Sequence, residues 1–129
     1  MDAVGLGTEI VECARVRAMI DEHAERFLTR VYTPDEVRYC QTRKNSTEHF
    51  AAIWAAKEAV FKALRVAGRG GAPWAQIEVE YRDDAPRVKV RGTIRQRMVE
   101  AGVGSILLTT AFSRHYATAT AVALRAGAG

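Results

Sequence analysis

Between His49 and Leu64 the large apolar residues recur at helical spacing. Phe50, Ile53, Trp54, Phe61 and Leu64 share one stripe, alanines fill most of the intervening positions, and neither Gly nor Pro occurs. That pattern predicts an amphipathic helix laid on a core. Three charges interrupt it. Lys57 falls inside the stripe, and Glu58 and Lys62 stand one turn apart beside it. A Glu-to-Lys pair at this spacing can be a plain surface pair worth roughly 0.2–0.5 kcal/mol. A helix that keeps three charges at its buried edge nevertheless calls for a partner.

Elsewhere the period changes repeatedly. Val4 to Val11 alternates and predicts a strand, with Val4, Leu6 and Ile10 on one face and Gly5, Gly7, Glu9 and Val11 on the other. Two glycines beside a carboxylate leave bare backbone that a second chain or a ligand can approach. Val16, Met19, Ile20 and Ala24 predict a first helix ending near His23, with Arg15 and Arg17 on its polar side and Arg26 and Arg30 following. Thr33-Pro34-Asp35-Glu36 carries a cap, a first-turn proline and a reciprocal glutamate, and so starts a helix that runs out near Arg43-Lys44-Asn45. Ser46 or Thr47 is expected to cap the central helix, which should stop before Gly68; Arg69 to Pro73 reads as a loop. Ile77–Tyr81 and Val88–Val90 predict a hairpin turning through Asp83-Asp84-Ala85-Pro86. Thr93–Ala101 predicts a short helix closed by Gly102. Ser105–Thr110 and Ala117–Leu124 predict a last strand pair around Ser113-Arg114-His115, and Ala126–Gly129 reads as a disordered end. An N-terminal strand, then helices, then antiparallel strands give an α+β fold in one domain spanning 1–129.

Composition narrows the function classes. In 129 residues, 48% apolar and 26% charged content are those of a folded, soluble chain. No run approaches the roughly 18 apolar residues of a membrane span, and no basic segment followed by an apolar one marks a secretory signal. Cys13 and Cys40 have neither CxxC nor metal-ligand spacing, which favours free thiols and a cytoplasmic location. The net charge of +4 suits a polyanionic partner. Without a basic run interleaved with aromatics, an acidic protein surface or a phosphate-bearing small molecule fits better than nucleic acid.

Glu9 on its glycine-flanked strand and Glu58 on the central helix are the two carboxylates of interest. Magnesium takes few protein carboxylates and keeps other positions for water or phosphate oxygens. With Lys57 and Lys62 nearby, the set would suit a magnesium-bound pyrophosphate. Here the chain resembles the small trimeric holo-acyl-carrier-protein synthases, the compact class of phosphopantetheinyl transferases. Gly5-Leu6-Gly7-Thr8-Glu9-Ile10-Val11-Glu12 is similar to that family's opening Gly-x-Gly-x-Asp-Ile-Val-Glu strand. Ile53-Trp54-Ala55-Ala56-Lys57-Glu58-Ala59-Val60-Phe61-Lys62-Ala63 is similar to its Arg-aromatic-Ala-x-Lys-Glu-Ala-x-x-Lys-Ala helix. Thr33–Glu36 and Arg114–Ala119 resemble two further family segments, in the right order along nearly the whole chain. Four positions depart: Glu9 replaces Asp, Ile53 replaces Arg, Arg65-Val66-Ala67 replaces Gly-Thr-Gly, and Phe112 replaces the His of another branch.

The resemblance implies transfer of phosphopantetheine from coenzyme A to a serine of an apo acyl carrier protein, in a homotrimer with active sites at subunit boundaries. It implies Glu9 and Glu58 as magnesium ligands, Glu58 as proton acceptor, and Lys62 as the group that neutralises developing phosphate charge. Lys57 either shares that role or is a buried structural lysine paired with a carboxylate. Arg43, Lys44 and Arg65 are candidate contacts for the adenosine phosphates; Arg15, with Arg17 and Arg26, is the candidate carrier-docking set; His115 is assigned to structure. The alternative, motivated by the departures, is a trimer that binds coenzyme A or the carrier but transfers weakly. A basic RNA-binding domain is a more distant reading.

Overall fold

The computed structural model describes residues 2–66 and 73–127. The chain runs β1 (Ala3–Glu12), α1 (Cys13–His23), α2 (Glu25–Val31), α3 (Pro34–Gln41) and α4 (Ser46–Ala63). A single 3-10 turn (Trp74–Gln76) then leads into β2 (Ile77–Arg82) and β3 (Ala85–Val90). The final elements are α5 (Gly92–Glu100), β4 (Val103–Phe112) and β5 (Tyr116–Arg125). β5 lies between β1 and β4 in an antiparallel three-stranded sheet, and β2 and β3 form a separate hairpin. This is the expected α+β arrangement.

The central helix departs from the expected amphipathic form. Eleven of its eighteen residues are buried, because α4 packs on the three-stranded sheet and also on α1, α3 and β2. The two sides differ. Toward the sheet the contacts are small: Gly5 and Gly7 of β1 lie so close to the helix that a Cβ on Gly7 would sit 1.9 Å from the Ala59 carbonyl oxygen. The close approach allowed by the glycines is therefore taken up by α4. Away from the sheet the contacts are aromatic, with Trp74 edge-on to both Phe61 and Trp54, and Trp54 edge-on to Phe27.

β1 alternates as expected, but its core side is the glycine side. Leu6 and Ile10 are 68% and 60% exposed. Register places Leu6 beside Val122 and Leu107, and Thr8 beside Thr120 and Thr109. The outer sheet face is thus apolar side chains separated by threonines.

Several boundaries move for local reasons. Ala24 takes φ 45° and breaks the chain between α1 and a separate α2, which the sequence did not announce; α2 buries Phe27 and Val31 one turn apart. The capping box at Thr33 and Glu36 forms as expected, with Thr33 N donating to Glu36 Oε1 at 2.8 Å. α3 stops at Gln41, leaving Arg43 and Lys44 beyond its end, and Asn45, not Ser46 or Thr47, takes the N-cap position of α4. The hairpin turn is Asp83-Asp84 alone, both at positive φ, so the turn suits the strand twist and Pro86 sits in an edge strand that tolerates it. α4 ends ahead of Gly68 as predicted; Gly68 and the Arg69–Ala72 part of the predicted loop lie outside the described residues. At the far end Ala126 N still donates to Gly102 O at 2.8 Å, so order reaches further than expected; residues 128–129 lie outside the described ones.

Candidate active site

β1 aims Glu9 at α4, and α4 answers with Lys62. Lys62 Nζ lies 3.5 Å from Glu9 Oε2 and donates to the Thr8 carbonyl at 3.0 Å. Glu9 and Lys62 remain 26% and 39% exposed, so the pair is open to solvent. Glu58 is half-buried and precedes Lys62 by one helical turn, hence on the same face. The residue across from Glu9 is Ala119, whose small side chain leaves room around the carboxylate. Among the described residues no cluster of three or more His, Cys, Asp or Glu side chains is placed to hold a metal. Two carboxylates that are not sealed from solvent have the chemistry of a hard-cation site that completes its shell with water and phosphate oxygens, and do not make an all-protein cage.

Lys57 is elsewhere. It is fully buried, with Nζ 2.7 Å from Glu36 Oε1 and donating to the carbonyls of Val31 (2.8 Å), Trp74 (3.1 Å) and Ile77 (2.7 Å). Three ammonium protons face four acceptors, so no donor is left for a phosphate. Assigning Lys57 to the coenzyme is therefore corrected: of its two expected roles, the buried ion pair holds. Glu36 is engaged on both oxygens, accepting from Thr33 N and from Val79 N at 2.7 Å. Burial pushes the Glu36 carboxyl up and the Lys57 ammonium down, while each is drawn back by the other's charge. Glu36 escaped notice because the capping box already accounted for it.

The remaining cations fall into separate groups. Arg15 is exposed on α1 with its guanidinium 5.4 Å from the centre of the Trp54 ring, one turn before Glu58 on α4. Arg17 borders a cleft with Glu12, Glu48, Arg114 and His115. Arg26 is on α2, not on the first helix, and borders a different hollow beside Met19, His23 and Phe27. His115 contributes its carbonyl to Cys13 N at 2.8 Å, a structural use of its backbone. Arg43 lies 4.1 Å over the Tyr39 ring, which stacks on Tyr81 at 5.1 Å; His49 stands edge-on to both Tyr39 and Phe112. No pattern in the sequence marked that cluster. Arg65 is exposed just past α4, at φ 56°, where the resembling family has glycine. Arg43 and Lys44 thus adjoin the start of α4 and Arg65 its end. An 18-residue helix is about 27 Å long, so one chain does not gather all three at one phosphate.

Glu9 and Glu58 supply carboxylate oxygens, and Lys62 sets a cation beside Glu9. Residues 5–121 match the model of the 4'-phosphopantetheinyl transferase superfamily, which sets the class. The chain is 42% identical over 123 residues to the holo-[acyl-carrier-protein] synthase of Rhodopirellula baltica, covering 95% of this chain and 98% of that one. It is 38% identical over 120 residues to the synthase of Koribacter versatilis, covering 92% and 96%. Its fold matches the ACPS–CoA complex of Chronobacterium ammoniagenes with a TM-score of 0.83 at 26% identity, over 98% of this chain and all of that one. The chain belongs to the holo-acyl-carrier-protein synthase family of phosphopantetheinyl transferases.

Proposed function

We propose that this enzyme transfers phosphopantetheine from coenzyme A to a serine hydroxyl of an apo acyl carrier protein, with magnesium held by Glu9 and Glu58. The observation that carries the reading is the open Glu9–Lys62 contact on the same helix face as Glu58. The serine oxygen attacks the phosphorus bearing the pantetheine arm, the pyrophosphate P–O bond breaks, and adenosine bisphosphate leaves. Magnesium, when bound, supplies charge neutralisation for the pyrophosphate and can make a bound water more acidic. Glu58 receives the serine proton directly or through a water. Lys62 swings from Glu9 toward phosphate oxygens as negative charge grows on them; chemistry of this kind is mainly positioning and electrostatics.

In this reading the chain works as a cyclic homotrimer. Two observations support that. The outer sheet face leaves Leu6, Ile10, Leu107 and Tyr116 between 48% and 68% exposed, an apolar surface suited to a second copy. Arg43 and Lys44 lie at the opposite end of α4 from Arg65 and do not meet it at one phosphate, so a boundary between copies would bring the two groups together around coenzyme A. Arg15, held over Trp54, and Arg17 face an acidic carrier surface; Arg26 is a weaker member of that set. Both cysteines are buried and free, which suits the cytoplasm.

The test is the mass of an apo carrier protein after incubation with enzyme, coenzyme A and magnesium. A gain of one phosphopantetheine, abolished by chelation or by Glu58→Gln, is the expected result. Near-normal transfer by Glu58→Gln in magnesium would remove the assignment.

A further inference from the structure

The sheet side of α4 is unusually smooth. Gly5 and Gly7 touch the backbone at Ala63 and Ala59, and beside them β5 presents Ala117, Ala119, Ala121 and Ala123, all buried. Such a surface sets how closely the helix lies, but it has few knobs to stop the helix sliding along the strands or rolling on them. The aromatic side interlocks through Trp74, yet Trp74 belongs to the segment whose carbonyls Lys57 holds. The densest set of directional contacts on α4 is at Lys57; beside it, Tyr32 Oη donates to the Phe50 carbonyl near the start of the helix and Lys62 Nζ to the Thr8 carbonyl on its open side. Lys57 ties α4 to the end of α2 at Val31 and to the entry of the hairpin at Trp74 and Ile77, while Glu36 ties the same ammonium to the start of α3 and to Val79. Hydrogen bonds of fixed length and angle oppose translation and rotation in a way that alanine contacts do not. Setting register is also the best-attested use of a buried polar group.

We propose that the Lys57–Glu36 pair is a positioning device for the reaction: it fixes the axial register and roll of α4, so that Glu58, the next residue, is presented correctly to Glu9 and Lys62. This rests on the assignment of Glu58 made above. Neither Lys57 nor Glu36 touches substrate. Their effect is carried by the helix, and a displacement of an ångström at a reacting centre is enough to cost turnover heavily.

The experiment uses the full chain and compares Lys57→Met, Lys57→Arg, Glu36→Gln and Glu58→Gln. Each is assayed well below its own melting temperature. The readouts are kcat, KM for carrier protein, and manganese affinity measured by electron paramagnetic resonance with coenzyme A present. Lys57→Met is expected to lose about tenfold or more in kcat and to bind manganese at least about fivefold more weakly, with the carrier KM within about twofold of wild type. Lys57→Arg, which keeps the charge and its donors, recovers manganese affinity. In manganese affinity, adding Lys57→Met to Glu58→Gln costs nothing further, since both act through one carboxylate. A lower melting temperature with kcat and manganese affinity unchanged would make the pair purely structural and overturn the proposal; so would additive losses in the double variant. If Lys57→Met does not fold, Glu36→Gln decides by the same two quantities. Normal transfer by Glu58→Gln alone would fail the underlying assignment, a result told apart because that variant leaves the pair intact.

Discussion

Lys57 and Lys62 leave α4 little more than a turn apart and each meets a glutamate, yet one pair is sealed and the other is open. The Lys57–Glu36 contact is 2.7 Å with both side chains fully buried; the Lys62–Glu9 contact is 3.5 Å with both partly in solvent. The sealed lysine has every donor committed to atoms of its own chain. The open one holds a backbone carbonyl and a carboxylate that a ligand can replace. The same chemistry is thus sealed into the architecture in one place and left open to a ligand in the other, and burial is what separates them.

The largest effect expected is on the sealed side. Removing one partner of a buried pair leaves an uncompensated charge and costs about 3–5 kcal/mol. Lys57→Met should lose stability of that order in a urea titration. A loss under about 1 kcal/mol would mean that water reaches Glu36 and the pair is not sealed.

On the open side the expectation reverses. Lys62→Met should change stability by less than about 1 kcal/mol, because exposed ion pairs contribute little. Transfer to the carrier should fall by about two orders of magnitude, equivalent to roughly 2.7 kcal/mol of barrier. Steady-state rates and a melting curve on the same preparation check both halves. Lost stability with retained rate would put Lys62 in the architectural class beside Lys57.

These differences also explain what the sequence could disclose. The strand at Glu9, the capped start at Thr33, the hairpin and the final strand pair follow from local periodicity and turn chemistry, and each appears. The pairing of Lys57 with Glu36 spans 21 positions and joins two separate helices, α3 and α4, so no spacing rule reveals it. Glu36 was already explained by its cap, which hid its second role. α2 was obscured because Ala24, an ordinary helix former, takes a positive φ that its residue type does not signal. The cluster of Tyr39, Tyr81, His49 and Phe112 draws one residue from each of four elements. Glu9, Glu58 and Lys62 were legible because they lie in two compact motifs.

A smaller effect is expected where α4 ends. Arg65 at φ 56° stands in the left-handed region, which costs a non-glycine residue roughly 1–2 kcal/mol. Glycine there gives back part of that gain through greater freedom of the unfolded chain. Arg65→Gly should therefore stabilise the protein by about 0.5–1 kcal/mol. If the guanidinium contacts the coenzyme, the same variant raises the KM for coenzyme A. Higher stability with unchanged KM would remove Arg65 from the site.

The smallest effect concerns His49, at the opposite end of α4 from the open pair. Burial lowers its pKa, and the Arg43 cation lowers it further, against an opposing pull from Glu48. Its ring lies edge-on to Tyr39 and Phe112, so protonation would place a cation in an aromatic setting that already has Arg43 above it. The folded state consequently binds this proton less readily than the unfolded state does, and the unfolded state carries more protons between the folded value and the ordinary value of about 6.5. Stability from this group is fully present above about pH 6.5 and is lost as pH falls through the folded value. Replacing the ring with one that cannot ionise, His49→Phe, should flatten the decline in melting temperature between neutral and mildly acidic pH while leaving the neutral value nearly unchanged. An identical decline in wild type and variant would assign the acid sensitivity to other groups and remove His49 from the account.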